Sequence, residues 1–289
     1  MSSVPLQLAA PSPRTGLVCC LLFVVSGWPA IAHAQPAAPE TDKTGTNPLV
    51  LSYTIQAVNE YYVLADGDDH NVLKLKFAVP FGGSRANVNL TVPISTSNTG
   101  HAALPGGSDG PITAPPPLGA THAGTATGLG DIALKASYIP YFNAKRKFGV
   151  LLAVELGFTT ATEAVMGTGK NTLMPSLTAV FFPARNTIFA PVYKQTNSYS
   201  GDPTRGDLNQ GAIDLYLVRM FNGGKTYLNL DPQLIFDYEG DTFSFLLETT
   251  VGFTLSKQKG LTLTITPGFP ISGTEPYDFL FKAGIKKVF

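Results

Sequence analysis

Charge is scarce in this chain. Of 289 residues, 14% are Asp, Glu, Lys or Arg, against about a quarter in ordinary soluble domains. Twenty basic residues balance 20 acidic ones, for a formal net charge of zero. With no basic excess to neutralise phosphates, nucleic acid is excluded as a main partner. The hydrophobic fraction is 44% and the mean hydropathy +0.13, which excludes a disordered chain, since that needs high charge and low hydrophobicity. Long hydrophobic runs are missing too. Past residue 35 there is no run of 18 apolar residues, and an α-helical membrane span needs one.

Cysteine is confined to Cys19 and Cys20, and both fall in what reads as an export signal. Arg14 precedes the uncharged stretch from Gly16 to Trp28, and small residues stand at Ala32 and Ala34. A positive start, a short apolar core and a small-residue site predict a secretory signal peptide cut after Ala34. A membrane anchor would need a core longer than these 13 residues. A lipoprotein would carry small residues just before its cysteine, whereas this pair lies mid-core. The mature chain then has no cysteine, hence no disulfide framework and no thiolate metal site. Without Arg14, 19 basic residues face 20 acidic ones, a net charge of −1. Residues 35–48 read as a disordered lead-in, and 49–289 as one domain.

What is present after residue 48 is a period of two. Leu73, Leu75, Phe77 and Val79 alternate with Lys74 and Lys76, so apolar and charged side chains fall on opposite faces of a strand. Val88, Leu90, Val92 and Ile94 alternate with Asn87, Asn89 and Thr91; Phe243, Phe245, Leu247, Thr249, Val251 and Phe253 alternate with Ser244, Leu246, Glu248 and Thr250. Such runs predict twelve strands, roughly 49–58, 71–81, 86–95, 129–140, 147–158, 171–182, 186–195, 210–221, 226–237, 241–255, 260–267 and 278–289. Most are close to the ~9–11 residues a tilted strand needs to cross a bilayer; soluble strands average about 5–6. A secreted β-sandwich shares the alternation but would have shorter strands and edges to protect.

The connections alternate in size. Tight turns, each with Lys or Arg, lie at 82–85, 143–146, 183–186, 222–225 and 257–260; longer loops span 59–70, 96–128, 159–170, 196–209 and 268–277, with 238–240 the short exception. Short periplasmic turns and long extracellular loops are the habit of bacterial outer-membrane barrels. An even strand count puts both termini in the periplasm. Pro175, Pro191 and Pro232 fall mid-strand, where a missing N–H breaks the ladder, and are expected to mark bulges or strand ends.

The final strand, Asp278 to Phe289, closes on a terminal Phe, with Lys287 where an aromatic or apolar residue is usual. It resembles the assembly signal of bacterial outer-membrane proteins. Gly128-Leu129-Gly130-Asp131, Gly167-Thr168-Gly169-Lys170 and the stretch Tyr193 to Gly201 leading to Asn209 are together similar to the MetA-pathway phenol-degradation family of transporter-like barrels. The similarity covers roughly residues 49–289. It implies an outer-membrane channel linked to aromatic-compound catabolism, and carries over no binding residue.

Other constellations are weaker. Gly167 to Asn171 has neither the earlier Gly nor the Ser or Thr after Lys that a phosphate loop needs. Asp66, Asp68, Asp69 and His70 supply hard-cation oxygen ligands without a regular binding spacing, and read first as a solvated loop. His70, His101 and His122 all fall in expected external loops, so no strand histidine is there to activate a serine. No catalytic, cofactor-binding or metal-binding residue is expected.

The expectation is an all-β, transmembrane antiparallel up-and-down barrel of about 12 strands in the bacterial outer membrane. Charge on the lipid face costs roughly 2–4 kcal/mol at the midplane, so Lys74, Lys76, Asn89, Lys135, Glu155, Asp214, Asn229, Asp231, Gln233, Glu248 and Lys282 should line the lumen. A barrel of this size lies between filled and open ones. One reading is therefore a monomeric channel for passive uptake of small aromatic or hydrophobic solutes, with loop 96–128 folding inward as a constriction. The other is a closed structural or surface-binding barrel acting through its outer loops. Expected partners are outer-membrane lipid and lipopolysaccharide, the barrel-assembly machinery through Phe289, and a small-molecule solute.

Overall fold

The computed structural model describes residues 44–64, 69–97, 106–107, 110–111, 125–145, 147–256, 260–274 and 277–289. The expected signal peptide, the lead-in as far as 43, most of loop 96–128, and Asp66, Asp68, His101 and His122 lie outside the described residues.

The period-two runs become twelve long strands: β1 (Thr54–Val63), β2 (Asp69–Phe81), β3 (Ala86–Ser97), β4 (Ile132–Asn143), β5 (Phe148–Phe158), β6 (Lys170–Ala184), β7 (Thr187–Gly201), β8 (Asn209–Phe221), β9 (Thr226–Asp237), β10 (Thr242–Ser256), β11 (Leu261–Gly273) and β12 (Phe279–Val288). Each pairs antiparallel with its successor, and β12 returns to β1 from Thr54↔Val288 to Val63↔Phe279. The barrel is closed and its sheet has no edge. A short strand, Ala126–Leu129, precedes β4 and pairs with the far end of β3; Gly106–Gly107 and Gly110–Pro111 form a small separate ladder. Tight turns gather at one end, called here the turn end, and the longer connections at the loop end. The β2–β3 turn is made by Gly82, Gly83 and Ser84 at φ +60, +66 and +63, a left-handed run that glycine adopts at little cost.

Eleven strands begin within three residues of expectation. β1 does not: the expected 49–58 is replaced by Thr54–Val63. Leu49 N donates to Asn47 Oδ1 at 3.0 Å and Val50 N to Asn47 O at 3.1 Å. This side-chain-driven turn diverts the apolar Leu49-Val50-Leu51 run from the ladder. The three prolines also differ from expectation. Pro175↔Val154, Pro191↔Leu215 and Pro232↔Leu247 are in register, with no shift at any of them. A strand residue directs both its polar groups to one neighbour, so a proline weakens one side of the ladder and leaves the other. Pairing of β8 with β9 accordingly passes from Asp214↔Gln233 to Leu217↔Leu230 across Pro232. The irregular registers fall instead between Tyr138 and Tyr141, around Pro140, between Phe245 and Leu246, where Leu246 meets Pro270, and at Thr254/Ser256, Thr187/Phe189 and Ser198/Ser200.

Outward positions carry Leu, Ile, Val and Phe, bounded by two aromatic girdles. Tyr141, Phe148, Phe181 and Phe189 follow one another at ring separations of 6.0, 5.0 and 6.2 Å near the turn end. Phe236–Phe243 and Phe269–Phe279, each at 5.2 Å, mark the loop end. On β10 the girdles are represented by Phe243 and Phe253. That interval is ~33 Å at ~3.3 Å per residue, or ~25 Å of height at a ~40° tilt, the apolar band of a membrane barrel. Leu177→Arg, on the outward face of β6, is therefore expected to destabilise the barrel by roughly 2–4 kcal/mol in urea titrations from vesicles. Ser176→Arg, one position away on the inward face, should shift the midpoint far less.

Candidate functional site

Inward positions divide into three levels. The middle is an ionic belt around a cavity of about 440 Å³. Lys74 Nζ lies 2.9 Å from Glu60 Oε2, Lys194 Nζ 2.6 Å from Asp214 Oδ2 and Lys282 Nζ 2.8 Å from Glu248 Oε2. Glu248 and Asp231 are direct cross-strand partners, a like-charge pairing that costs stability unless cations offset it; Lys282 does so on the Glu248 side. Asp231 Oδ2 accepts from Gln233 Nε2 at 3.2 Å. Asp231 Oδ1 and Asn229 Oδ1 have no hydrogen-bond partner among the described residues. A second cavity of about 310 Å³ extends toward the turn end, and Lys76, Lys135 and Lys286 line both. The carboxylates of β8, β9 and β10 thus stand across the lumen from the lysines of β2 and β4, four to six strands away in a ring of twelve.

Toward the loop end, Tyr62, Val72, Ile235, Leu246, Tyr277 and Leu280 form a buried apolar collar, with the Tyr62 and Tyr277 rings edge-to-face at 5.6 Å. Beside it, the connection between β5 and β6 folds inward. Its short 3-10 turn, Ala164–Met166, buries Val165 and Met166 at 0% and 2% exposure. Gly128 and Gly130 make room for it: a Cβ on Gly128 would meet Thr162 Oγ1 and Met166 Sδ, and one on Gly130 would lie 3.1 Å from Met166 O and 3.3 Å from Ser95 Oγ. Asp131 fastens the loop. Its Oδ1 accepts Thr160 N and Ala161 N, both at 3.2 Å, and its Oδ2 accepts Thr168 N at 2.7 Å and Thr168 Oγ1 at 3.0 Å. The two Gly-rich motifs therefore meet: one supplies space and the carboxylate, the other the donors.

The connection 202–208 clasps this loop from outside. Arg205 Nη2 donates to Ala164 O, and Lys170 Nζ to Asp207 Oδ1 at 2.9 Å. Thr204 donates to Asp202 through its hydroxyl and amide. The Thr204 bonds hold the Asp202 carboxyl below its ordinary value, and the Lys170 bond does the same for Asp207. A carboxyl so held binds its proton less readily folded than unfolded, so its contribution is present at neutral pH and lost as pH falls through the lowered value. Hydrogen exchange at the Thr204 amide, which donates to Asp202 Oδ1 at 2.8 Å, should lose protection below the ordinary aspartate range once the intrinsic pH dependence of exchange is divided out.

At the turn end, Val180, Ile188, Ala190, Val218 and Tyr227 make a second apolar collar, and Leu49 packs against it. Residues 44–53 lead into β1 from inside the lumen. Leu49 occupies the space a side chain at Gly149 would fill, and Lys286 Nζ donates to Gly45 O at 3.0 Å.

Lys76, Lys135, Asp214, Asn229, Asp231, Gln233, Glu248 and Lys282 border the larger cavity and Asn89 the smaller. Lys74 is buried in its ion pair. Glu155 is buried on β5, opposite Lys135 in register. His70 corrects the expectation of an external-loop histidine. It is the second residue of β2, 1% exposed, on the same face as Val72 and Lys74. The strand begins two residues earlier than expected and its parity carries the imidazole inward. Loop 96–128, expected as the constriction, lies mostly outside the described residues, and the inward loop among them is 159–169. Glu60, Lys194 and Lys286 were not anticipated, although Lys286 shares the parity of Lys282; Glu60 fell outside the expected range of β1.

A closed twelve-stranded antiparallel barrel with an apolar, doubly girdled exterior and an ionic interior defines the class: a membrane-spanning β-barrel of the outer-membrane type. Among solved structures, the chain is similar to the COG4313 outer-membrane channel from Pseudomonas putida F1, with a TM-score of 0.61 and 13% identity, over 88% of this chain and 100% of that one. It is similar also to the NanC porin, with a TM-score of 0.53 and 9% identity, over 82% of this chain and 99% of the porin. At these identities the likeness is one of fold. No protein-family profile and no curated protein matches the sequence.

Proposed function

We propose that the chain is a monomeric outer-membrane channel through which small solutes diffuse passively. The observation that carries this reading is the cavity of about 440 Å³ in the ionic belt, bordered by the charged side chains of Lys76, Lys135, Asp214, Glu248 and Lys282. The two neighbours of matching fold are described as a channel and a porin, which supports the same reading. The turn end faces the periplasm and the loop end the exterior, with lipid and lipopolysaccharide around the girdles and Phe289 presented to the assembly machinery. The opposed lysines and carboxylates orient dipolar solutes as they pass. Apolar collars at both ends favour small aromatic molecules, as does the similarity to the phenol-degradation family.

Liposome swelling tests this. Vesicles carrying the barrel are expected to admit phenol-sized aromatic solutes and small sugars faster than protein-free vesicles, and equal rates would sink the channel reading. The complete burial of Leu246, Tyr277 and Leu280 supports the alternative of a closed barrel acting through its outer loops, and that alternative predicts the equal rates.

A further inference from the structure

Charge balances over the whole chain but not along the barrel axis. Every one of the five turn-end connections between strands carries Lys or Arg, and none carries Asp or Glu. Arg85, Lys145, Lys147, Arg185 and Lys225 are exposed there, and none of them has an ion pair among the described residues. Two further cations leave the wall sideways. Arg219, exposed on the outward face of β8, donates from Nη1 to Thr187 Oγ1 at 3.0 Å, and Lys287 Nζ lies 5.2 Å from the centre of the Phe289 ring. The described aspartates and glutamates all lie at mid-height or at the loop end. There Asp69, Asp202, Glu239, Asp241 and Asp278 are among those that outnumber Lys170 and Arg205, the two loop-end cations of the described residues. The barrel is therefore an axial dipole, positive at its turn end. Arg219 also gives the height of the positive ring. It stands two residues beyond Leu217, the register partner of the girdle residue Phe189. That is ~7 Å along the strand, or ~5 Å of height at a ~40° tilt, inside the ~5–8 Å polar layer that borders the hydrocarbon core.

We propose that the turn-end ring of cations is a docking surface for anionic phospholipids, whose phosphates it gathers in preference to zwitterionic headgroups. Sign and level both fit: unpaired cations sit where lipid phosphates lie, just past the aromatic girdle. The spread around the ring fits as well. Successive turns are two strands apart, ~12 Å at a ~4.8 Å strand spacing and a ~40° tilt, and the cations recur at β2–β3, β4–β5, β6–β7, β8–β9 and on β12. A protein seated on one arc would leave most of them uncovered, whereas an annulus of lipid meets them all. A polymer lying flat beneath the barrel would reach the turns. It would not meet Arg219, which points away from the axis into the surrounding leaflet. The side chains suit the ligand too. The guanidinium of Arg219 keeps four N–H donors beyond its Thr187 bond and presents them in a fork that matches phosphate oxygens. The lysines reach headgroups on long apolar stems. Carboxylates at the opposite end repel the same lipids, so the preference belongs to one leaflet. This requires that the barrel span a membrane, and is independent of whether solutes pass through it.

Electron paramagnetic resonance of spin-labelled lipids tests the ring. Labelled phosphatidylglycerol and phosphatidylethanolamine are compared in phosphatidylcholine vesicles carrying the outer-membrane-purified barrel, where wall-bound and bulk lipid give separate signals. Phosphatidylglycerol is expected to associate about fivefold more tightly, the ratio that about 1 kcal/mol per cation near an anionic surface corresponds to. The ratio should fall toward one in 1 M salt, where the Debye length is about 3 Å. Arg85→Gln, Lys145→Gln, Lys147→Gln, Arg185→Gln, Arg219→Gln and Lys225→Gln combined should bring it near one at low salt, with folding checked by heat-modifiable gel mobility. Equal association of the two lipids with the parent would overturn the lipid assignment, as would a parental ratio in the folded sixfold variant. Retention of the parent but not the variant on isolated peptidoglycan, with no lipid preference in either, would assign the ring to a polymer instead. Should the sixfold variant fail to fold, its two halves decide. The first three substitutions and the last three, made separately, should each lower the ratio partway, and parental ratios in both folded halves would overturn the assignment.

Discussion

Lys74→Met is expected to destabilise the barrel by about 3–5 kcal/mol, the cost of leaving a buried carboxylate uncompensated. The Glu60 and Lys74 side chains are 4% and 1% exposed, at 2.9 Å from each other. The Glu60 carboxylate also accepts the Tyr62 hydroxyl at 2.6 Å, which orients it but adds no positive charge. A desolvated ion pair is itself weak evidence of stability, because the desolvation of both ions opposes their attraction. The asymmetry between breaking it and replacing it is the informative quantity. Glu60→Gln with Lys74→Met removes both charges together, and should recover most of the loss. Urea titration of the four members of this cycle in vesicles measures the coupling. A single Lys74→Met variant that unfolds at the parental midpoint would show that Lys76 and Lys282, or water, compensate Glu60 without Lys74.

Asp131→Ala is expected to release the inward loop 159–169 while leaving the ladder intact. Four donors converge on this one carboxylate. Hydrogen bonds to a charged acceptor contribute about 1.5–3 kcal/mol each, so losing even two of them exceeds the stability of a short irregular segment. Hydrogen exchange at the Thr160, Ala161 and Thr168 amides should quicken by orders of magnitude, while amides in β5 and β6 stay protected. Asp131→Asn keeps acceptor capacity on one oxygen and should fall between. Because Val165 and Met166 leave the lumen with the loop, conductance is expected to rise in the same variant. Unchanged exchange at Thr168 would mean that the Gly128 and Gly130 fit, the Arg205 clasp and the Leu129–Thr162 hydrogen bonds hold the loop in place without the carboxylate.

The strands were legible because their information is local. Parity along Leu73 to Val79, or Phe243 to Phe253, specifies which side chains face lipid, and one residue of slip would put Lys74 or Glu248 there. Twelve strands, their alternating turns and loops, and the inward face of the ionic belt all follow from that. Two kinds of feature did not. Leu49-Val50-Leu51 has the composition of a strand, and it is the Asn47 turn together with a vacancy at Gly149 on β5 that draws it inward; nothing nearby in sequence reveals that glycine's role. Likewise Gly128-Leu129-Gly130-Asp131 is visible as a motif, yet its partner loop lies about thirty residues on, and a glycine required for close approach looks like a glycine required for a turn. Pro175, Pro191 and Pro232 failed as markers of irregularity because a strand residue bonds to one neighbour, so the other ladder carries the register across.

The pairing of Thr54 with Val288 also governs how the molecule comes into being. Every other wall contact joins strands that are neighbours in the chain, but this one spans nearly the whole polypeptide. Its entropic penalty can be offset only once the last strand has been delivered. Until then the nascent sheet carries two unpaired edges of backbone N–H and C=O groups, each a template for a stranger's strand. A chain truncated before Phe279 would have eleven sound strands and no way to finish, and its fate is aggregation rather than a smaller pore.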